Sequence, residues 1–262
     1  MKKIWMKYVL LGVGIYLTLL IVRFPAEIAY GFIAESMKSS PGKAQLYRVS
    51  GTVWSGRAQY MSVSGRTLRD VSWTLHPLSL LAGALSATVA LKTDDGSLKA
   101  TVLKGFSDSI RLEDVKARLP MNEILRMAKI PAIKLEGQLG VNLQEIEMEA
   151  GVLTEATGRI VWNGAETRFP QRLVLGDLSA DVNTTDAGIE AEISDAGGPL
   201  EAKGRLTLAP DGAYDFNGLF SAREGRNSML GRSLGMMGRP DAQGKFKLVN
   251  KGNLSDFGFL AK

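Results

Sequence analysis

The chain has 262 residues with 32 Lys and Arg, 27 Asp and Glu, one His and no Cys. Its hydrophobic content of 45% supports a buried core and excludes disordered, collagen-like and coiled-coil chains. The single His and the lack of Cys exclude most nucleophilic triads and the metal sites built from His and Cys.

The excess of positive charge lies in the first segment. Residues 1–23 contain four basic side chains and no acidic one, so residues 24–262 have 28 basic and 27 acidic side chains. A nucleic-acid-binding protein needs a large basic surface. A net charge of +1 over residues 24–262 does not supply one, so nucleic acid is excluded as a partner.

An apolar run, Ile4–Val22, predicts a membrane anchor. It has 19 residues and is interrupted by one charge, Lys7. As a helix it would be about 28 Å long, close to the thickness of the hydrocarbon core of a bilayer. Trp5 and Tyr8 lie near its beginning, where aromatic side chains favour the membrane interface. We therefore predict that residues 1–24 form a cytoplasmic tip and a transmembrane helix.

A cleaved signal peptide is the alternative interpretation of this run. Arg23, Pro25 and Glu27 follow directly, without a small-residue cleavage site, which favours an uncleaved anchor. The lysines at the start of the run outnumber the arginine after it, which predicts a cytoplasmic N-terminus. The main domain would then lie across the membrane, in the periplasm of a Gram-negative cell.

Residues 25–42 are predicted to form a juxtamembrane helix and a linker. Glu27–Met37 can continue as a short interfacial helix, weakened by Gly31, and Ser39–Gly42 has the composition of a linker. The rest of the chain, residues 43–262, is predicted to form one periplasmic β domain.

In this domain apolar and polar residues alternate, which predicts half-buried strands. The alternating segments are 71–76, 87–91, 132–143, 178–182, 189–193 and 200–208. Turn signals separate several of them, namely Asp94–Gly96, Asp186–Gly188, Gly197–Pro199 and Pro210–Gly212. After Leu143 the apolar phase moves to Ile146, which predicts a bulge or turn near Gln144 and Glu145.

Helical patterns are few in the β domain. Pro120–Lys129 places apolar residues on one helical face, and Ser228–Met237 is a weaker candidate because Gly231 and Gly235 lie inside it. The sequence therefore predicts an antiparallel meander of ten to twelve strands. Its apolar faces can be covered by closing into a barrel, by packing as a sandwich, or by forming an open trough under a helix.

The sequence Gly231–Gly235 (GRSLG) matches the G-x-S-x-G pattern of serine hydrolases. That pattern needs a preceding core strand and an acid and a His later in the chain. The only His, His76, lies upstream, on the polar side of a predicted strand. The match is therefore interpreted as chance, and His76 as a surface histidine.

Acidic groups give no stronger indication of a site. Asp94–Gly96 lacks the ligand spacing of a calcium loop, and a hairpin turn explains it. Glu145, Glu147 and Glu149 lie on a wet strand face, where only tertiary structure could pair them. We therefore predict no catalytic, cofactor-binding or metal-binding residue, no cofactor and no enzymatic activity.

Three short motifs stand out in the β domain: Gly51–Ala58 (GTVWSGRA), Trp73–Gly83 (WTLHPLSLLAG) and Arg239–Gly244 (RPDAQG). The residues of the first two indicate tight strand–turn–strand packing around two Trp. The motifs resemble those of the type II secretion system protein N family, also called general secretion pathway protein N. The resemblance lies in the order and spacing of the motifs, in the length of the chain and in the apolar run that precedes them. The resemblance covers essentially the whole chain.

This resemblance implies an accessory role in the inner-membrane platform of a machine that exports folded proteins across the outer membrane. Other platform proteins are the implied partners. The family also suggests a likeness to AsmA-type periplasmic proteins, whose curved sheets form an apolar groove and are linked to lipid handling. The expected fold is therefore mainly β. It has one N-terminal transmembrane helix, then a curved antiparallel meander that forms an AsmA-like trough or open barrel with one or two short helices.

Two functions remain open. The first is a non-catalytic component of type II secretion, whose exposed sheet edges could recruit strands of partner proteins. The second is a periplasmic module that binds or transfers lipids or acyl chains, in which the apolar sheet face stays open as a groove. Both functions require the same alternation of apolar and polar residues along the strands, so this pattern does not distinguish them. An envelope hydrolase has only the G-x-S-x-G match in its favour.

Overall fold

The computed structural model describes residues 2–39, 44–63, 66–93, 95–127, 134–168, 171–236 and 238–254. These residues form thirteen β-strands, four α-helices and one 3₁₀ helix. The chain divides into two compact units, Met1–Asp94 and Asp95–Lys262.

The first unit contains two helices followed by a four-stranded antiparallel meander. Its elements are α1 (Lys2–Val22), α2 (Ala26–Ser39), β1 (Gln45–Gly51), β2 (Ser55–Val63), β3 (Arg66–His76), the 3₁₀ helix (Pro77–Ala82) and β4 (Leu85–Lys92). β1 pairs with β2, β2 with β3, and β3 with β4, so strand order follows chain order. In β3 the register shifts between Arg69 and Ser72, at Asp70, which has a positive φ of 48°.

The N-terminal helix α1 covers the predicted apolar run, and its side chains from Tyr8 to Val22 are exposed. Among the described residues, no helix combines the length and the hydropathy needed to cross a membrane. The helix predicted over Glu27–Met37 forms within α2, and Tyr30 ties it to β1 by accepting a 2.9 Å hydrogen bond from the Leu46 N–H. The linker residues 40–42 lie outside the described part of the chain.

The second unit contains nine strands and two short helices. Its elements are β5 (Ser97–Lys104), β6 (Ser109–Pro120), α3 (Met121–Met127), β7 (Leu135–Glu149), β8 (Val152–Thr167), β9 (Leu173–Thr185), β10 (Gly188–Asp195), β11 (Leu200–Leu208), β12 (Ala213–Ala222), α4 (Met229–Gly235) and β13 (Phe246–Asn253). Consecutive strands pair antiparallel from β5 to β13. Within the described part of this unit β5 and β13 do not pair with each other, so the meander is not closed.

Two clusters of apolar side chains form the core of the second unit. One lies on one face of β5–β10 and contains Ala100, Val115, Leu143, Ala156, Val182 and Ile189. In the other, α4 packs its Leu230 and Leu234 against Leu173, Leu200 and Phe246. A short helix therefore covers one part of an open sheet. Among the described residues no large side chain is less than 2% exposed, so the apolar face is incompletely buried.

The antiparallel meander predicted from the alternation is confirmed, with thirteen strands instead of ten to twelve. The predicted irregularity after Leu143 is also confirmed, because the pairing of β7 with β8 shifts register between Leu143 and Glu145. Both predicted helices form, as α3 and α4. Their predicted last residues, 128–129 and 237, lie outside the described chain, as does Asp94 of the predicted Asp94–Gly96 turn.

Candidate functional site

The turn between β1 and β2 is attached to the end of α1. The Trp54 Nε1–H donates a 2.8 Å hydrogen bond to the Ile21 carbonyl, and the Val53 N–H donates one of 3.0 Å to the Phe24 carbonyl. Pro25 and Thr52 form an isolated antiparallel bridge beside these bonds. The first part of the Gly51–Ala58 motif therefore fixes the meander to the C-terminal end of α1.

The second tryptophan of the motifs, Trp73 on β3, packs across Gly56 on β2. A Cβ atom at Gly56 would lie 2.3 Å from Trp73 Cζ2, so only glycine leaves room for the indole. The Trp73 Nε1–H donates a 3.0 Å hydrogen bond to the Val53 carbonyl. The predicted packing around two Trp is confirmed for this part of the motifs.

The rest of the second motif departs from that interpretation. Leu78 and Leu81, in the 3₁₀ helix Pro77–Ala82, are 77% and 87% exposed, and Leu80 is 52% exposed. No residue of this helix is buried. We call Pro77–Ala82 the leucine turn. The prediction that this motif serves packing is wrong for these leucines, because the alternation that places Trp73 on the inner face ends where β3 ends.

Local hydrogen bonds satisfy several backbone polar groups in and beside the leucine turn. Gly83 and Ala84 donate 3.1 Å hydrogen bonds to the carbonyls of Leu80 and Ser79. The Ser79 hydroxyl donates to the His76 carbonyl at 2.6 Å and accepts from the Ser86 N–H at 3.1 Å. The exposed leucines are therefore held on a hydrogen-bonded scaffold.

The third motif, Arg239–Gly244, forms the turn that leads into β13. Asp241 Oδ1 accepts hydrogen bonds from the N–H groups of Gln243, at 2.9 Å, and Lys245, at 2.8 Å. The Arg226 guanidinium donates a 3.1 Å hydrogen bond to the Asp241 carbonyl. This motif therefore has a structural explanation.

The G-x-S-x-G match lies on α4, and within the described part of the chain its serine makes no hydrogen bond to a basic side chain. Ser233 Oγ accepts a 3.0 Å hydrogen bond from the Gln171 side-chain amide. His76 belongs to the other unit and lies 2.9 Å from the Thr88 hydroxyl. His76 is exposed on the polar side of β3, as predicted.

The structure brings two of the three predicted glutamates together. Glu145 and Glu147 lie with Glu155 in a group whose carboxylate oxygens are within 4.8 Å of one another, whereas Glu149 is exposed at the end of β7. Arg111 on β6 lies 3.0 Å from each of Glu145 and Glu147. The hydrogen bond that Arg111 donates to Glu147 and the nearby negative charges raise the pKa of Arg111. This guanidinium offsets part of the negative charge and joins β6 to β7 by ion pairs with two of the three carboxylates.

Another charged group, Asp195, ties the end of β10 to its neighbours. It accepts hydrogen bonds from the N–H groups of Gly197, at 2.9 Å, and Ala202, at 3.1 Å, and from Arg223. Burial opposes ionisation of Asp195, but the backbone donors and Arg223 outweigh it and lower the pKa. This carboxylate therefore has a structural role.

The last strand, β13, is the free edge of the second unit. Among the described residues its strand partner is β12 alone. Leu248 and Val249 are 37% and 45% exposed near its middle. An unpaired row of backbone N–H and C=O groups can bind an extended segment of another protein. The sequence predicted exposed edges but did not show which strand would supply one.

Comparisons with known proteins agree with one another. The family model of the type II secretion system (T2SS) protein N matches residues 43–249. The chain is 26% identical to the type II secretion system protein N of Aeromonas hydrophila over 91% of this chain and 94% of that relative. It is 24% identical to that of Vibrio cholerae over 94% and 98% of the two chains. For the protein of Klebsiella pneumoniae the identity is 26%, over 90% and 91%. No solved structure matches the chain.

Proposed function

The chain belongs to the type II secretion system protein N family, and from this we propose that it is a non-catalytic accessory component of the inner-membrane platform in type II secretion. The observation that carries the proposal is the family match over residues 43–249, which includes all three motifs. The lack of a base near Ser233 in the described contacts supports a role without catalysis.

In this proposal α1 anchors the protein in the inner membrane, with a cytoplasmic N-terminus and a periplasmic β domain. Its support is the apolar run Ile4–Val22, with lysines at its start, and the exposure of side chains from Tyr8 to Val22. α2 exposes Ile28 and Phe32, at 51% and 79%, which suits a helix at the membrane interface.

The second element of the proposal is that the edge of β13 binds other proteins of the platform. In cells, a photo-crosslinking amino acid at Val249 is expected to capture another secretion component. The matched control is the same probe at Glu155, which is exposed but lies on β8, a strand that pairs on both sides. Mass spectrometry identifies the captured molecules. Equal capture from both positions, or capture of lipid alone from Val249, would contradict the proposal.

A second candidate function is binding of lipid acyl chains along the apolar face of the second unit, in the manner of AsmA-type proteins. The observation that favours it is the incomplete burial of this face. Leu112, Val141, Ile146 and Ile160 are only partly buried although they pack against the core cluster. An acyl chain lying on such a face would remove apolar area from water, which is favourable.

For this second function we expect native mass spectrometry of the purified protein to show a bound phospholipid. Replacing Ile160 with Asn would place a polar side chain on the apolar face and lower the lipid occupancy several-fold, because a buried amide without a partner is costly. The control Arg159→Gln changes a neighbouring exposed position. Protein that is free of lipid when isolated in mild detergent would contradict the function.

A further inference from the structure

The strongest unexplained feature of the first unit is the apolar surface of the leucine turn. Leu78 and Leu81 are among the most exposed large apolar side chains of the described residues, and Leu80 and Leu85 add 52% and 48% exposed surfaces beside them. A contiguous exposed apolar patch of this kind usually marks an interaction site. No Asp, Glu, Lys or Arg occurs between Asp70 and Lys92, so the sequence around the turn carries no acidic or basic side chain apart from the single His76.

The position of the turn relative to α1 is set by a short chain of hydrogen bonds. Trp54 is bonded through its indole to Ile21 in the last turn of α1. The carbonyl of the same Trp54 accepts a 2.7 Å hydrogen bond from the Leu75 N–H. Since Leu75 lies just before Pro77, the leucine turn lies at the end of the meander that is attached to the C-terminal end of α1.

We propose that the leucine turn inserts into the interface of the membrane in which α1 is anchored, and so forms a second contact between the first unit and the bilayer. This inference rests on the proposed anchoring by α1. The bilayer is favoured over a protein as the occupant because hydrogen bonds through Trp54 join the strand that precedes the turn to the end of α1, where Leu19–Val22 are exposed.

The backbone of the turn also suits an apolar medium. A segment that enters a bilayer must satisfy its own polar backbone groups, because lipid tails offer no hydrogen bonds. The bonds of Gly83 and Ala84 to Leu80 and Ser79, and those of the Ser79 hydroxyl to His76 and Ser86, satisfy several of these groups in the turn and next to it.

The charge of the first unit is complementary to a membrane surface. Residues 23–94 carry eight basic and four acidic side chains, whereas residues 95–262 carry 21 basic and 23 acidic ones. Basic side chains beside an inserted apolar segment strengthen its binding to anionic headgroups. Arg57 is exposed on the polar face of the same meander, opposite Ser72 of β3.

The experiment places a fluorescent probe at single cysteines, which is direct because the chain has none of its own. Full-length Leu81→Cys, labelled with an environment-sensitive nitrobenzoxadiazole dye, is reconstituted in vesicles of phosphatidylcholine and phosphatidylglycerol in equal parts. The matched control is Phe106→Cys, an apolar residue that is 97% exposed in the β5–β6 loop. Tyr16→Cys on α1 reports the anchor, and Leu78→Cys repeats the test at a second exposed position.

We expect a blue shift of emission and quenching by brominated lipid at positions 78 and 81, as for position 16, and neither effect at position 106. A probe at position 81 that behaves like the one at position 106, while the probe at position 16 lies in the bilayer, overturns the insertion and leaves the anchor intact. A probe at position 16 that lies in water overturns the anchor and the insertion together. In cells, photo-crosslinks from position 81 to a protein and none to lipid would also overturn the proposal.

Discussion

Replacing Gly158 with Ala is expected to unfold much of the second unit, at a cost of about 4 kcal/mol from strained backbone and forced packing. Gly158 lies on β8 opposite Leu143 and has a positive φ of 147°. An added Cβ would lie 2.4 Å from the Asn142 carbonyl oxygen and 2.6 Å from the Leu143 Cα. Both atoms belong to the backbone of β7, so no side-chain rotation relieves the contact.

Native-state hydrogen exchange measures this loss, because the amides of β7 and β8 report the free energy of opening of the unit. Gly235→Ala is the control, since nothing lies within 4 Å of an added Cβ there at the end of α4. A cost below about 1 kcal/mol at Gly158, within the ordinary range of a tolerated substitution, would show that β7 and β8 are not packed as described.

Replacing Trp73 with Ala is expected to destabilise the first unit by about 2–3 kcal/mol, less than for a fully buried Trp because the indole is only partly buried. The substitution leaves a gap over Gly56 and removes the hydrogen bond to the Val53 carbonyl. Trp73→Phe keeps much of the ring but not the donor, and should cost about 1 kcal/mol. The N–H of the same Val53 donates a hydrogen bond to the Phe24 carbonyl, next to the end of α1. Loss of the Trp73 bond to Val53 should therefore loosen the β1–β2 turn from α1.

Hydrogen exchange in peptides from β1 to β3 reports this change, and peptides from β7 and β8 serve as the internal reference. Thr74→Ala, an exposed neighbour on the opposite side of β3, is the matched control and should leave exchange unchanged. Equal acceleration in both units would contradict the assignment of Trp73 to the packing of the first unit alone.

The exposed leucines show where local pattern stops being informative. The same motif contains Trp73, which packs, and Leu81, which is exposed, and both are apolar. Hydrophobicity alone assigns both to a core, because on average large apolar side chains are buried. Only the position of Pro77–Ala82 beyond the end of the strands separates them.

The glutamates of β7 show the same limit for charged groups. Alternation correctly placed Glu145 and Glu147 on a wet face, but it could not identify their partners. Arg111 and Glu155 reach them from β6 and β8, through a register that depends on the shifts near Leu143 and at the end of β7. A shift of one residue in that register would move these side chains to the other face.

The mainly β class, the antiparallel meander, the two short helices and the irregularity after Leu143 could be predicted from the residues alone, because alternation, turns and helix signals are local properties of the chain. Its ordered motifs also pointed to the family. Tertiary structure alone decided that Trp54 binds the end of α1, that Gly158 lies against β7, and that Leu78 and Leu81 stay exposed. These features are contacts between segments far apart in sequence, or the absence of such contacts, and pairing register and packing geometry fix them.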